Sequence, residues 1–245
     1  MSTRLKLSFG FLAAAFSLIL LRSTARPDPL PGFPRVVLWA WERPEDLRFV
    51  KPQVAGIAFL ARTVWLDGDK VSARPRLQPL RFTPGTTLMA VVRLESAGHG
   101  LPARDLVIRE LGQAAKLPGV RALQIDFDAR ESERVWYGAL LTDLRKALPP
   151  ALPLTITALE SWCESDGWIR GLPVADASPM LFRMGPGERV PDGDFAVPLC
   201  RSSIGIGTDE LPDRVPRGRR LYFFYPRAWT PQAYEAVIAQ AGRWQ

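Results

Sequence analysis

The densest chemistry in the chain lies in seven residues, Ala122-Leu123-Gln124-Ile125-Asp126-Phe127-Asp128. Their polar and apolar side chains alternate with the period of two that belongs to a strand. One face carries Gln124, Asp126 and Asp128, and the other carries Leu123, Ile125 and Phe127. At ~3.3 Å rise per residue the two aspartate backbones stand ~6.6 Å apart. Carboxylates that close push their pKa values apart, leaving one as a proton donor and the other as a charged base or nucleophile. A second run, Leu88–Glu95, puts Arg93 and Glu95 on one face by the same parity. Arg93 has two readings there: it orients a polar or anionic substrate, or it neutralises Asp126 as an ion-pair partner.

These residues need a scaffold that turns strand ends towards one place. After residue 34 the chain offers eight short apolar or β-branched runs: Val36–Trp41, Gly56–Thr63, Leu88–Glu95, Ala122–Asp128, Leu154–Leu159, Pro179–Met184, Ser203–Thr208 and Arg219–Tyr225. Near-continuous apolar strands suit a parallel sheet covered on both faces. Helical spacing fills several connections. Leu101–Leu117 stops at Pro118-Gly119, and Ser132–Leu148 carries a stripe of Val135, Leu140, Leu141, Leu144 and Leu148 with Ser132 as its expected cap. Thr230-Pro231 opens a last helix bearing Tyr234, Val237, Ile238 and Ala241. The fold expected is α/β, a single small (β/α)₈ barrel over residues 35–245 with some helices reduced. Between Thr63 and Leu88 the Asp67-Gly68 pair predicts a hairpin instead of a helix. The rival, an open doubly wound sheet, lacks its Gly-rich phosphate loop, because Trp41-Glu42-Arg43-Pro44 follows the first run.

In a barrel of this kind the site lies at the C-terminal strand ends. The runs end on Trp41 and Glu42, Arg62, Arg93 and Glu95, Asp126 and Asp128, Trp162, Arg183, Asp209 and Glu210, and Arg227. Carboxylates at the ends of the fourth and seventh strands match the placement of an acid/base and a nucleophile in glycosidase barrels. Asp126, Asp128, Asp209 and Glu210 are therefore the catalytic candidates. Glu42, Arg62, Arg93, Glu95, Trp41, Trp162, Arg183 and Arg227 are the substrate-binding candidates, with Trp39 read as core. The single histidine, His99, sits in a glycine-flanked loop, so a histidine-rich metal centre is excluded and a Ser-His-Asp triad has no elbow motif to support it. No metal or cofactor is assigned.

Composition sets the surroundings. Hydrophobic residues make up 47% and charged residues 23%, the balance of a globular domain, and 23 prolines argue against long helices. The net charge of +7 raises nucleic acid as a partner, but no basic stretch interleaves stacking aromatics and no recognition motif occurs. The N-terminus reads as a signal peptide over residues 1–25: Arg4 and Lys6, an apolar run Leu7–Leu21, then Ser23-Thr24-Ala25. An uncleaved membrane anchor is the alternative, followed in either case by a Pro-rich linker over residues 26–34. The protein is thus expected in the periplasm or secreted, or anchored to the inner membrane and facing the periplasm. Cys163 and Cys200 are an even pair, which permits one disulfide; two buried thiols remain the other reading.

Val36–Trp41, Ala122–Asp128 with Ser132-Glu133-Arg134, Ile156–Cys163, Pro179–Gly185 and Gly205–Glu210 together resemble the bacterial family called domain of unknown function 3142, over about Val36 to Trp229. The resemblance implies a glycoside-hydrolase-like barrel in an exported setting, and no substrate or catalytic residues. Retaining glycosidases typically carry Glu on strands four and seven, whereas this chain offers Asp126 and Asp128 on the fourth. Two functions follow as expectations. One is hydrolysis of a glycosidic bond by paired carboxylates. The other is a barrel that binds a saccharide or an envelope partner without catalysis, its acidic row held by arginines.

Overall fold

A computed structural model describes residues 27–184, 190–191 and 193–244. The segment read as a signal or anchor lies outside these residues. Eight parallel strands close on one another: β1 (Val36–Ala40), β3 (Ala55–Asp67), β6 (Leu88–Ser96), β7 (Val120–Asp126), β8 (Leu154–Leu159), β9 (Asp176–Met180), β10 (Ser203–Gly207) and β11 (Arg220–Phe224). β1 pairs with β3 on one side and β11 on the other, so the sheet has no open edge in the barrel. Each of the eight apolar runs corresponds to one barrel strand. The sixth starts earlier than its apolar content indicates, because Asp176 and Ser178 face the buried interior and read as loop residues.

Helices cover only part of the barrel. α1 (Arg104–Ala115) follows β6, α2 (Arg134–Ala147) follows β7, and α4 (Pro231–Trp244) follows β11. α2 buries Tyr137, Leu140, Leu141 and Leu144. Val135 is 87% exposed and lies off that stripe, two residues before the first buried side chain, Tyr137. Nor does Ser132 cap the helix: it sits inside a 3₁₀ turn (Glu131–Glu133), where the Glu133 carboxylate accepts the Arg130 amide at 2.8 Å. Thr230 does cap α4, accepting from the Ala233 amide at 3.1 Å.

Elsewhere the described connections carry only single turns of helix. β8 leads to α3 (Glu160–Cys163), and β9 leads to a 3₁₀ turn at Pro198–Cys200. Cys163 and Cys200 form a disulfide with a Cα–Cα distance of 5.8 Å, tying these two connections together. On the β1–β3 side the predicted hairpin exists: β4 (Lys70–Pro75) runs antiparallel to the extended end of β3, with Asp67 opposite Lys70 and Gly68 at φ 57° in the turn. Two short strands, β2 (Glu45–Leu47) and β5 (Leu80–Phe82), pair beside it.

Two apolar clusters result. The larger lies outside the sheet, beneath the helices and the disulfide, and includes Leu123, Ile125 and Phe127. The smaller fills the barrel and contains Val37, Trp39, Ala58, Met89, Val91, Ala122, Tyr222 and Phe224. Leu30 and Phe33 belong to it, so part of the stretch read as a linker packs as the barrel floor. Fully buried Arg220 holds that floor: its Nη2 lies 3.0 and 2.9 Å from the Asp28 carboxylate oxygens and 3.1 Å from the Leu30 carbonyl.

Candidate functional site

The odd-even phase of the fourth barrel strand holds. Gln124 and Asp126 are buried inside the barrel, while Leu123, Ile125 and Phe127 pack outward, with Phe127 edge-on to Tyr137 at 5.1 Å. Asp126 sits where the interior meets the mouth. Its Oδ2 accepts from Arg93 Nη1 at 2.8 Å and its Oδ1 from Thr157 Oγ1 at 2.9 Å. Arg93 Nη2 lies 3.5 Å from Asp128, whose side chain is exposed at the rim, and Arg93 Nε donates to Glu95 at 3.2 Å. One guanidinium therefore faces three carboxylates. Its reach keeps Asp126 and Asp128 within the ~9.5 Å upper limit for glycosidase carboxyl pairs.

The electrostatics follow from this packing. Burial pushes the Asp126 carboxyl above the usual aspartate range, and the Arg93 charge and hydrogen bond offset only part of that. Burial works against the charge on Arg93, but Asp126, Asp128 and Glu95 outweigh it and raise its pKa above the usual arginine value. Arg93 is permanently cationic, so its three partners are arranged around a fixed charge. The next residue in phase after Asp128 is Arg130, which lines the same depression between β6 and β7 as Glu133 and Asp128. The strand-four row thus ends in a cation, not a third carboxylate.

Three depressions share walls across the mouth. The largest, about 580 Å³, lies over β1, β3 and β6 and is lined by Trp41, Glu42, Arg43, Thr63, Trp65, Arg74, Arg93 and Glu95 among others. At one end Arg93 and Glu95 also line the β6–β7 depression. At the other, Trp41 and Arg43 also line a cavity of about 250 Å³ against β9, β10 and β11, with Phe182, Arg183, Asp209, Phe224 and Tyr225. The result is a groove across the mouth, floored by aromatic rings and edged by charged groups.

Most of the candidates assemble here. Glu42 accepts from Arg74 at 3.0 Å, and Arg74 lies 5.5 Å above the Trp65 ring, while Trp65 Nε1 donates to Glu95 at 2.8 Å. Trp41 is half-buried against Trp39 and Phe224, with ring centroids 5.6 and 6.4 Å away. Trp39 is core, as its sequence position implied. Glu210 accepts from the Arg183 amide at 2.7 Å and so shapes the loop, while Asp209 reaches the cavity. Arg227 lies on the rim, 5.8 Å over the Tyr225 ring.

Two candidates do not reach the mouth. Arg62 points to the outer layer, where Nη1 meets Glu110 at 2.5 Å and Nη2 meets Gln113 at 2.7 Å. The pairing of β3 with β6 shifts between Leu60 and Arg62, and this bulge reverses the phase that would have aimed Arg62 inward. It delivers Thr63 and Trp65 to the groove instead. Trp162 is buried on α3, edge-on to Trp168 at 5.0 Å, because its turn folds outward beside the disulfide.

Other contributors were not singled out from the sequence. Thr157 was legible by parity on β8. Trp65 and Arg74 follow from the hairpin register once the bulge is known. Arg76 had no signal: it donates to the carbonyls of Trp41 at 2.7 Å, Arg43 at 2.6 Å and Gln78 at 3.0 Å, tying down the end of β1 where no helix follows. Burial lowers its pKa, with Glu45 and Glu42 acting in the opposite sense. Among the described residues no group of three or more His, Cys, Asp or Glu is placed to hold a metal ion.

Comparison with known proteins is sparse. No curated protein matches the chain. Among solved structures, the spore cortex-lytic enzyme SleL of Bacillus cereus aligns with 72% of this chain at 16% identity and a TM-score of 0.44. The alignment takes in 51% of that enzyme, so the chain spans about half its length. Residues 85–182, from the approach to β6 to just beyond β9, match the family described as Domain of unknown function (DUF3142), the family that the chain resembles in its residues.

Proposed function

We propose that this barrel binds a saccharide chain in the groove across its mouth and does not cleave it with the strand-four aspartates. One observation carries the reading: the Arg93 guanidinium engages Asp126, Asp128 and Glu95 together. Pairing with a permanent cation opposes the protonated form that a donor to a leaving oxygen needs, and here one cation engages all three carboxylates. Meanwhile Trp41, Trp65, Phe224 and Tyr225 offer apolar faces for sugar rings, and Glu42, Arg43, Arg74 and Asp209 offer polar edges. A groove shared by three depressions suits an oligomer better than a monosaccharide. The Cys163–Cys200 disulfide supports an oxidising setting such as the periplasm or the exterior, in line with the leader or anchor expected from the N-terminal sequence. An envelope polysaccharide is then the natural partner class.

The test is calorimetric titration of the purified domain with envelope and exopolysaccharide fragments, alongside an assay for released reducing ends. Binding without turnover is the expected outcome, and Trp41→Ala should weaken binding at least about tenfold if a sugar stacks there. Turnover that disappears in Asp126→Asn would overturn the reading in favour of hydrolysis. That second reading has its own support: burial favours the protonated form of Asp126, and Asp209 lines the same mouth without an ion pair among the described residues.

A further inference from the structure

The cavity at the β9–β11 end of the groove differs from the rest in having charges that are not already spent on one another. Elsewhere Arg74 is paired with Glu42 and Arg93 with three carboxylates. At this end the Arg183 guanidinium has no partner among the described residues, although its backbone is held firmly. Arg183 is the only non-glycine described residue at positive φ, 52°, and its amide is fixed by the Glu210 carboxylate at 2.7 Å. Left-handed backbone is unfavourable for a residue with a Cβ and persists where surrounding structure imposes it. Here the imposed conformation puts Arg183 on the wall of an aromatic cavity.

The floor of the cavity depends on missing side chains. β10 contributes Gly205 and Gly207 to the barrel interior. A Cβ on Gly205 would come within 2.8 Å of Met180 Sδ and 3.1 Å of Phe224 Cε2. A Cβ on Gly207 would come within 3.0 Å of Phe182 Cβ and 3.1 Å of Asp209 Oδ1. The glycines thus let Phe182 and Phe224, 4.8 Å apart, close over β10 as a floor, with Trp41 and Tyr225 beside them. An apolar floor of about one ring's extent with a planar two-pronged cation at its edge fits a sugar ring that carries a carboxylate. Arg43, the other cation, is tied to the Pro226 carbonyl at 2.7 Å and lies 3.7 Å from Glu45. Among the described lining residues Asp209 is the one opposing charge, and it suits a ring hydroxyl rather than the acid.

Resting on the saccharide-binding reading, we propose that this cavity is a subsite for one acidic sugar residue, with Arg183 as the residue that selects the acid. The probes are oligogalacturonate and oligomannuronate of matched length, their carboxyl methyl esters, and polyaspartate. The acids should bind about tenfold or more tightly than the esters, since a charge-assisted bidentate contact is lost on esterification. Arg183→Asn, which tolerates left-handed backbone, should bring the acids down to the affinity of the esters. Esters that bind as tightly as acids, or an acid preference that survives in Arg183→Asn, overturn the subsite while leaving saccharide binding intact. Polyaspartate binding as tightly as the uronates also overturns it, because the cavity would then read charge alone. Failure of every saccharide, acidic and neutral envelope fragments included, overturns the underlying reading and the subsite with it.

Discussion

The two sides of this barrel are held by different means. Around β6, β7 and β8 the outer layer is conventional: α1 and α2 bury Val107, Leu111, Tyr137, Leu140, Leu141 and Leu144 against outward-facing strand residues. Around β8, β9 and β10 no full helix occurs among the described residues, and a covalent staple ties the two connections. On the β1–β3 flank an arginine ties down strand ends, Arg76 binding carbonyls that a following helix turn would otherwise have covered. The difference shows what a crossover helix contributes. Where it is present, apolar burial fixes the strand and the site residue at its end. Where it is absent, a disulfide or a half-buried guanidinium must do so, and the loops above it are free to form a wider groove.

The disulfide gives the largest expected effect on that contrast. Closing a 37-residue separation should contribute about 4 kcal/mol on the chain-entropy account. Paired Cys163→Ser and Cys200→Ser substitution should lower stability by about that amount in denaturant titration. Hydrogen exchange should rise in β9 and β10 and hardly change in β7; uniform loosening of all strands would show that the two sides are not separately maintained.

Next comes Arg93→Ala. It leaves Asp126 buried beside Thr157 with no cation, and the expected cost is about 2–4 kcal/mol, reduced from a fully buried pair because Arg93 is part-exposed. Arg62→Ala, on the outer face, should cost about 1–2 kcal/mol, since its partners Glu110 and Gln113 keep some access to water once it is gone. Equal losses in urea midpoints would contradict the distinct placements of these two arginines.

The interior polar layer predicts a pH dependence. Burial raises the Asp176 carboxyl to about 6, with the Ser203 hydrogen bond and Arg220 only partly opposing it. The unfolded carboxyl titrates near ~3.9, so between that pH and about 6 the folded state retains a proton the unfolded state has lost. The contribution is full below the unfolded value and is lost as pH rises through the folded one. Wild type minus Asp176→Asn stability should therefore fall by about 2–3 kcal/mol from pH 4 to pH 7. A flat difference would mean that the carboxylate finds compensation inside the barrel, where its Oδ1, the Gln124 amide and Ser178 Oγ have no protein partner.

The smallest effect belongs to Val135. It fits the helical stripe by residue type yet is exposed, so Val135→Lys should shift stability by no more than about 0.5 kcal/mol, against about 3 kcal/mol or more for Leu140→Ala in the same helix. Thermal melts of the two variants check this directly.

All eight barrel strands could be read from local apolar runs, and the inward row of Gln124 and Asp126 from strand parity, because both depend on neighbours one or two residues away. The same holds for the Asp67-Gly68 hairpin and the cap at Thr230. Arg62 shows where that logic stops: one bulge in the pairing of β3 with β6, invisible along the chain, turned it outward and brought Trp65 in. Trp162 and Cys163 show it again, since the direction of a four-residue turn depended on a cysteine far along the chain. Above all, residues from separate strands had to meet before Arg93 could be seen as the partner of Asp126, Asp128 and Glu95 at once. Side-chain periodicity is a property of a segment, whereas ion pairing, bulges and cavities arise only when distant segments come into register.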